Sequence, residues 1–202
     1  MTPTSTRKLT LADIADLRAY ERERASFRAH VIDLKQRRRL GLGTLVTLLF
    51  ENRDTMRFQI QEMARVEKLI TDEAIQEEID VYNRMIPEPG QLCVTMFIEL
   101  VTDAQLREWL PKLVGIQHHV VLRLPGGREV RATTDEAHES QLTRETVTAA
   151  VHYLRFDLSA EHIDAFQDGV VLAIDHPAYD EEIELLPATV SELRRDLLPD
   201  PA

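Results

Sequence analysis

The chain has 202 residues, of which 44% are hydrophobic and 29% are charged, and its formal net charge at pH 7 is −11. This composition is typical of a globular protein with an adequate core, and the net acidity argues against bulk binding of nucleic acid because phosphate backbones would be repelled. A single cysteine, Cys93, excludes an internal disulfide and any site built from several thiolates.

The apolar runs are short, and they predict a protein outside the membrane. The longest, Leu45–Phe50 and Val170–Ile174, are far below the length that spans a bilayer, and the first residues lack the apolar segment of a signal peptide. We therefore expect a cytoplasmic location, no membrane partner and no cofactor.

The first part of the chain predicts two helices followed by a strand. Thr10 is placed as the N-cap of a short helix that runs to about Tyr20. A second helical pattern ends before Gly41 in a basic run, as helix C-termini favour. The basic residues are Lys35, Arg37, Arg38 and Arg39. A strand, Thr44–Phe50, comes next.

Two further helical patterns follow, and both end before Pro87. On the first, Met56, Ile60, Met63 and Ile70 fall on one side of a helical wheel, with Glu67 in the middle of that stripe. Glu67 is therefore expected to be largely buried. The second pattern, from about Asp72 to Met85, predicts an amphipathic helix with an acidic outer face.

A change in charge at Pro87 suggests a division of the chain. Residues 1–87 hold 15 Lys or Arg and 14 Asp or Glu, whereas residues 88–202 hold 9 and 21. Two prolines and a glycine mark the break. We expect a helical region with one strand at 1–87 and an antiparallel sheet with helices at 88–202, joined in one compact unit.

The second half alternates strands with helices. Leu92–Leu100 predicts a strand, Asp103 caps a helix, and a hairpin turns at Pro125–Gly127. Residues 135–141 are expected to form an exposed loop, Thr146–Leu158 a long strand, and the acidic tail after Pro177 an irregular segment with a short helical turn. The predicted fold is α+β, with a helical first half packed on a mostly antiparallel sheet and helices in a split βαβ-like arrangement.

Three carboxylates and one histidine are candidate catalytic residues: Glu51, Glu62, Glu67 and His176. The three glutamates could surround one cavity as a carboxylate metal site or an acid–base pair, or each could be neutralised by an arginine as a structural ion pair. His176 follows Asp175 where a strand ends, which suits either a functional loop or a rigid turn.

The basic run Lys35, Arg37, Arg38 and Arg39 is a candidate site for an anion or an acidic partner, although complementing a helix dipole would explain it equally. The seven histidines show no metal-ligand spacing, so no metal site is predicted. Cys93 is interpreted as a small packed residue. The nucleophile-elbow, dinucleotide and zinc-protease motifs are absent from the sequence.

Several blocks of sequence resemble an uncharacterised bacterial family often encoded beside rubrerythrin-type proteins and iron–sulfur oxidoreductases. The blocks are VIDLKQRRR at 31–39, LFENR at 49–53, QIQEM at 59–63, IQEE at 75–78, VHYLRF at 151–156 and IDHPAY at 174–179. The resemblance implies a bacterial protein working near redox or peroxide-stress systems, and it assigns no catalytic residue.

Two hypotheses about function follow. The first is an accessory or interaction protein with a protein partner in a redox system, since known enzyme motifs are absent and the charge is unevenly distributed along the chain. The alternative is an enzyme or metal-binding protein that uses the carboxylates of the central helix.

Overall fold

The structure is a computed structural model that describes residues 7–134 and 147–199. Within these ranges the α-helices are α1 (Leu17–Arg38), α2 (Arg53–Glu67), α3 (Asp72–Tyr82), α4 (Asp103–Lys112), α5 (Ala160–Ala165) and α6 (Pro187–Leu197). Short 3-10 helices lie at Leu11–Asp13, Asn83–Met85 and Ile116–His118. No helix of the described part is long and apolar enough to cross a membrane.

In the described residues nine strands form two sheets, and every strand pair there is antiparallel. The strands are β1 (Arg39–Leu42), β2 (Val46–Glu51), β3 (Gln91–Ile98), β4 (Val120–Leu124), β5 (Arg128–Arg131), β6 (Thr133–Thr134), β7 (Val151–Asp157), β8 (Val171–His176) and β9 (Tyr179–Glu184). The first sheet has the order β1-β2-β3-β7-β6 and the second has the order β5-β4-β8-β9. The α+β class with antiparallel pairing is thus confirmed.

The main core lies between the two sheets. Strand alternation sends Phe50, Val94 and Leu154, which are cross-strand neighbours, to the inner face of the first sheet. Leu122, Leu172 and their neighbours fill the facing side of the second sheet. Apolar residues of α6 complete this core.

The outer face of the first sheet is covered by helices, yet it carries several polar and ionisable side chains. Glu51, Cys93 and Arg155 are cross-strand neighbours on this face, and α1 packs against β2 above them. A second, smaller apolar cluster holds α2 and α3 together around Ile60 and Ile79. The helices therefore cover a sheet face that carries ionisable groups.

The beginning of the chain differs from the sequence prediction. Thr10 does form a capping box with Asp13, but the helix it starts is a single 3-10 turn, and Asp16 then caps one α-helix of 22 residues. This long helix ends at Arg38, with three cations in its last turn as expected. The basic run then continues directly into β1, so residues 1–87 contribute two strands where one was predicted.

The acidic tail was wrongly interpreted as irregular. Residues Tyr179–Glu184 form β9, which pairs with β8 along its whole length and is exposed except at Tyr179. Acidic side chains disfavour strands in general, but an exposed edge strand can carry them at little cost. The helix that follows has 11 residues, longer than the turn or two predicted.

Two predictions fall on residues outside the described ranges. The exposed loop expected at residues 135–141 lies there entirely, as does the expected start of a strand at Thr146. Residues 147–150 are described and precede β7, which begins at Val151, so the strand is shorter than the predicted Thr146–Leu158.

Candidate ligand-binding pocket

A pocket of about 310 Å³ opens at the edge of the first sheet, between its outer face and the end of α3. Strands β3, β6 and β7 form its floor, and the Asn83–Met85 turn with the segment before the first 3-10 helix forms its wall. The lining residues are Lys8, Val81, Tyr82, Arg84, Met85, Gln91, Cys93, Thr133, Thr134, Tyr153, Leu154 and Arg155. The lining holds three cationic side chains and no carboxylate.

Strand alternation explains how the floor acquires polar groups. On β7, Tyr153 and Arg155 point to the outer face, whereas Leu154 and Phe156 belong to the inner core. Thr95 lies opposite Tyr153, and Cys93 lies opposite Arg155. One strand thus supplies both core packing and the polar floor of the pocket.

Lys8 and Arg155 both make contacts with neighbouring protein groups. The Lys8 ammonium donates hydrogen bonds to the carbonyl oxygens of Asn83 (3.0 Å) and Ile86 (2.6 Å) and lies 3.2 Å from Glu88. It therefore fixes the wall of the pocket. Arg155 donates from Nε to Asp157 at 3.0 Å, and about half of its side chain is exposed.

The two phenols and the thiol of the pocket are neutral at ordinary pH. Burial is the main cause that raises the pKa of Tyr82 and of Tyr153 above the usual value for a phenol. Burial also raises the pKa of the Cys93 thiol to about 12, and the thiol is only 3% exposed. Cys93 is therefore a packed thiol with little thiolate character.

Glu51 lies beside the floor of this pocket, on the neighbouring strand β2. It is directly opposite Cys93, is 4% exposed, and accepts a hydrogen bond of 2.7 Å from the Thr95 hydroxyl. Its other carboxyl oxygen, Oε2, is buried and has no hydrogen-bond partner in the described structure. Burial raises the pKa of Glu51, against the smaller opposing effects of hydroxyl groups and of cations on α1.

The other two candidate glutamates lie apart from Glu51. Glu62 accepts two hydrogen bonds from Arg24, at 2.7 and 2.9 Å, and one of 2.7 Å from the Tyr20 hydroxyl, so it joins α2 to α1. These contacts, led by Arg24, lower the pKa of Glu62 to about 2. The expectation that Glu67 is buried was wrong: it is exposed at the end of α2, as are Val66 and Ile70 beside it.

His176 is 6% exposed and is held within a turn. Its Nδ1 accepts a hydrogen bond of 3.2 Å from the Ala178 amide, so Nε2 carries the proton and donates to the Val114 carbonyl oxygen at 3.2 Å. Burial lowers the pKa of this imidazole. The neighbouring Asp175 instead binds Arg131 and His119, at 2.6 and 3.0 Å.

The four cationic side chains of the basic run contact different partners within the chain. Arg38 is 1% exposed and binds Glu192 and Asp196 on α6, at 3.0 and 2.7 Å. Arg37 binds Asp33 and Arg39 binds Glu99, while the Lys35 ammonium lies over the Phe58 ring. Each of these side chains thus has a partner within the chain.

The sequence pattern singled out Glu51 as a candidate but did not predict the pocket beside it. Tyr153 and Arg155 alternate with apolar residues on β7, and this polar half of a central strand was the available signal. The contribution of Tyr82 and Arg84 depends on how α3 meets the sheet, which local periodicity does not encode. In the described residues no group of three or more His, Cys, Asp or Glu is arranged to hold a metal ion.

The fold and the pocket together define a two-sheet α+β protein with a cation-lined pocket between the first sheet and the end of α3. The family model described as "Protein of unknown function (DUF3501)" matches residues 8–197, so the chain belongs to this family. This confirms the resemblance to an uncharacterised family. The comparison with curated proteins gave no match.

A crystal structure from Burkholderia pseudomallei, described as a novel protein of unknown function and determined at 1.90 Å resolution, has a similar fold. Its sequence is 36% identical to this chain, and the TM-score is 0.84. The match covers 94% of this chain and 99% of that one, so the architecture described above extends over essentially the whole of that protein.

Proposed function

We propose that this protein is an accessory protein that binds a small anionic molecule in the cation-lined pocket. The observation that carries the proposal is the charge of the lining. Lys8, Arg84 and Arg155 line the pocket and no lining residue is acidic, although Glu88 and Asp157 outside the lining pair with Lys8 and Arg155, in a chain whose net charge is −11. A local concentration of positive charge in an acidic protein attracts anions to that place.

The size and chemistry of the pocket suit a small organic anion. Its volume of about 310 Å³ is at the lower end of the range of small-molecule sites. Apolar surface from Val81 and Met85 lies beside hydroxyl groups of Tyr82, Tyr153 and Thr133. A ligand with one or two acidic groups and a compact apolar body would use both kinds of surface.

The test is a binding measurement with defined anions at constant ionic strength. We expect sulfate, phosphate or small carboxylic acids to raise the melting temperature of the wild type and to give a saturable calorimetric titration. Arg84→Gln combined with Arg155→Gln should weaken binding at least tenfold. Arg107→Gln is the matched control, since Arg107 is an exposed arginine on α4 outside the pocket lining.

Equal binding by all three proteins would show that anions bind elsewhere, and it would overturn the proposal. The same outcome would follow if none of these anions bound the wild type at millimolar concentration. Because the basic run at residues 35–39 was also a candidate, Arg37→Gln is measured in parallel. A loss of binding confined to that variant would move the anion site to α1.

An association with redox or peroxide-stress systems is the second part of the proposal, and it is supported by the family resemblance of the sequence. The chain's single thiol is buried and has a raised pKa, so redox chemistry would belong to a partner protein. We expect a strain lacking this protein to be more sensitive to hydrogen peroxide. Wild-type protein should restore resistance, and the Arg84→Gln/Arg155→Gln protein should not.

Unchanged sensitivity of the deletion strain would remove the redox association and leave ligand binding as the proposal. If both proteins restored resistance, the redox role would be independent of ligand binding in the pocket.

A further inference from the structure

Glu51 is a deeply buried carboxyl group in contact with the floor of the pocket. Its side chain is on the outer face of the first sheet, directly opposite Cys93, which lines the pocket. Thr95, which donates a hydrogen bond to Glu51, is directly opposite Tyr153, another lining residue. Two rows of cross-strand neighbours, one through Cys93 and one through Thr95, therefore connect Glu51 to the floor of the pocket.

The environment of Glu51 provides little to stabilise a negative charge. Thr95 donates a hydrogen bond to its carboxyl group, the Thr55 hydroxyl also favours the ionised form, and Oε2 has no hydrogen-bond partner in the described structure. The groups that face it are Lys35 and Arg38 on α1, Thr55 on α2, Cys93 and Thr95 on β3, and Tyr153 on β7. The two cations are committed elsewhere, Arg38 to α6 and Lys35 to the Phe58 ring.

An ionised carboxylate in this position would be buried without an ion-pair partner, which is costly. Glu51 is therefore neutral when the pocket region is packed as described. An anion in the pocket would lie within about two strand spacings, roughly 10 Å, of its carboxyl group. The charge state of Glu51 and the occupancy of the pocket are then coupled.

We infer that Glu51 makes anion binding in the pocket depend on pH, because its neutral form permits occupancy and its ionised form opposes it. This inference rests on the proposed function of the pocket. Two like charges about 10 Å apart in a protein of effective dielectric constant about 20 repel strongly enough to weaken binding roughly tenfold. By linkage, an anion that binds should also cause Glu51 to retain or take up a proton.

Sulfate is the probe, because its charge is constant over the working range of roughly pH 5 to 9. The dissociation constant of sulfate is measured across this range for the wild type and for Glu51→Gln. Because sulfate carries two negative charges, we expect the wild-type affinity to fall by roughly a hundredfold as the pH rises through the raised pKa of Glu51. The Glu51→Gln protein keeps a neutral group at this position and should lack that step.

Calorimetry in two buffers of different ionisation enthalpy provides a second measurement. Near the midpoint of the affinity change, sulfate binding to the wild type should take up a proton from the buffer, and binding to Glu51→Gln should not. Thr95→Val is the variant that keeps the inference testable if Glu51→Gln fails to fold. Removing the hydroxyl that stabilises the carboxylate should move the wild-type step to higher pH.

The outcomes separate this inference from the proposed function. If sulfate binds the wild type and Glu51→Gln with the same pH dependence, Glu51 is not coupled to the pocket, and the binding proposal stands alone. An unmoved step in Thr95→Val has the same meaning. If sulfate does not bind in the pocket at all, the result contradicts both the coupling to Glu51 and the proposed binding of anions.

Discussion

At the scale of single residues, the same side-chain type has three different roles on neighbouring elements. Glu51 is buried with one hydrogen bond, Glu62 is held by an arginine and a tyrosine, and Glu67 is exposed. Their pKa values differ accordingly: that of Glu51 is raised by burial, and that of Glu62 is lowered chiefly by Arg24. Environment decides the chemistry of each carboxylate.

Glu62 should contribute to stability in a defined pH range. Its folded-state pKa of about 2 lies below the ordinary value for an unfolded glutamate, about 4.3, so its contribution is complete above the unfolded value and is lost as the pH falls through 2. We expect Glu62→Gln to lower the melting temperature at pH 7, and the difference from wild type to shrink as pH falls from about 4 towards 2. Glu67→Gln, at an exposed site, is the control and should change little.

Cys93 should be slow to react in the folded protein. It is 3% exposed, and burial raises its pKa to about 12, so little thiolate is present at pH 8. We expect a disulfide reagent to modify Cys93 much more slowly in native protein than in protein unfolded by guanidinium. Native and unfolded rates within a factor of ten would show that the thiol is more accessible than the structure indicates.

The wrong prediction that Glu67 is buried has a local physical cause. The wheel assumed one helix through Ile70, but α2 ends at Glu67, and Lys68 takes the left-handed conformation with φ of 57°. Beyond that residue the helical phase no longer applies, and Ile70 is 81% exposed. The buried side of α2 instead includes Gln61, whose amide binds the backbone of Ala15 at 2.8 and 3.1 Å.

At the scale of elements, the charged contacts between α1 and α6 are the feature that local sequence reasoning could not supply. The basic run was visible at residues 35–39, but its partners Glu192 and Asp196 are about 150 positions away. Strands β3, β4 and β5 were predicted close to their observed bounds because their apolar patterns and the turn at Pro125–Gly127 are local signals, whereas β9 was missed. The pocket and this ion-pair cluster were not predicted, because both arise only when distant elements meet.

Arg38 is the buried centre of this cluster, and its loss should destabilise the fold. Arg38→Met would leave Glu192 and Asp196 without their buried partner, and we expect the free energy of unfolding to fall by about 3–5 kcal/mol. Arg39→Met is the control, since Arg39 pairs with Glu99 at the surface and should cost less than about 1 kcal/mol. Both values come from urea unfolding at pH 7.

A triple variant checks the cause. Arg38→Met with Glu192→Gln and Asp196→Asn removes all three charges, so it should recover a substantial part of the loss. Equal stability of Arg38→Met and the triple variant would contradict an effect of stranded charge and point to lost packing instead.

At the scale of the whole molecule, strand pairing and ion pairs cross the change in composition at Pro87. β2 pairs with β3 along six residues, and Arg38 of α1 binds α6. We propose that the regions before and after Pro87 unfold as one unit. A calorimetric scan should show a single transition whose calorimetric and van't Hoff enthalpies agree. Two resolved transitions would show that the regions are independently stable.

The order in which the strands enter the first sheet has a consequence for synthesis. β3 is translated before the hairpin of the second sheet, and its partner β7 is complete only at Asp157, more than fifty residues later. A growing chain therefore carries one edge of β3 unpaired while the ribosome makes the intervening segment, and the apolar side of β3 stays uncovered until the second sheet is made. Release of truncated chains before residue 157 would expose this strand to association with other chains, so shortened transcripts of this gene should give aggregated rather than folded product.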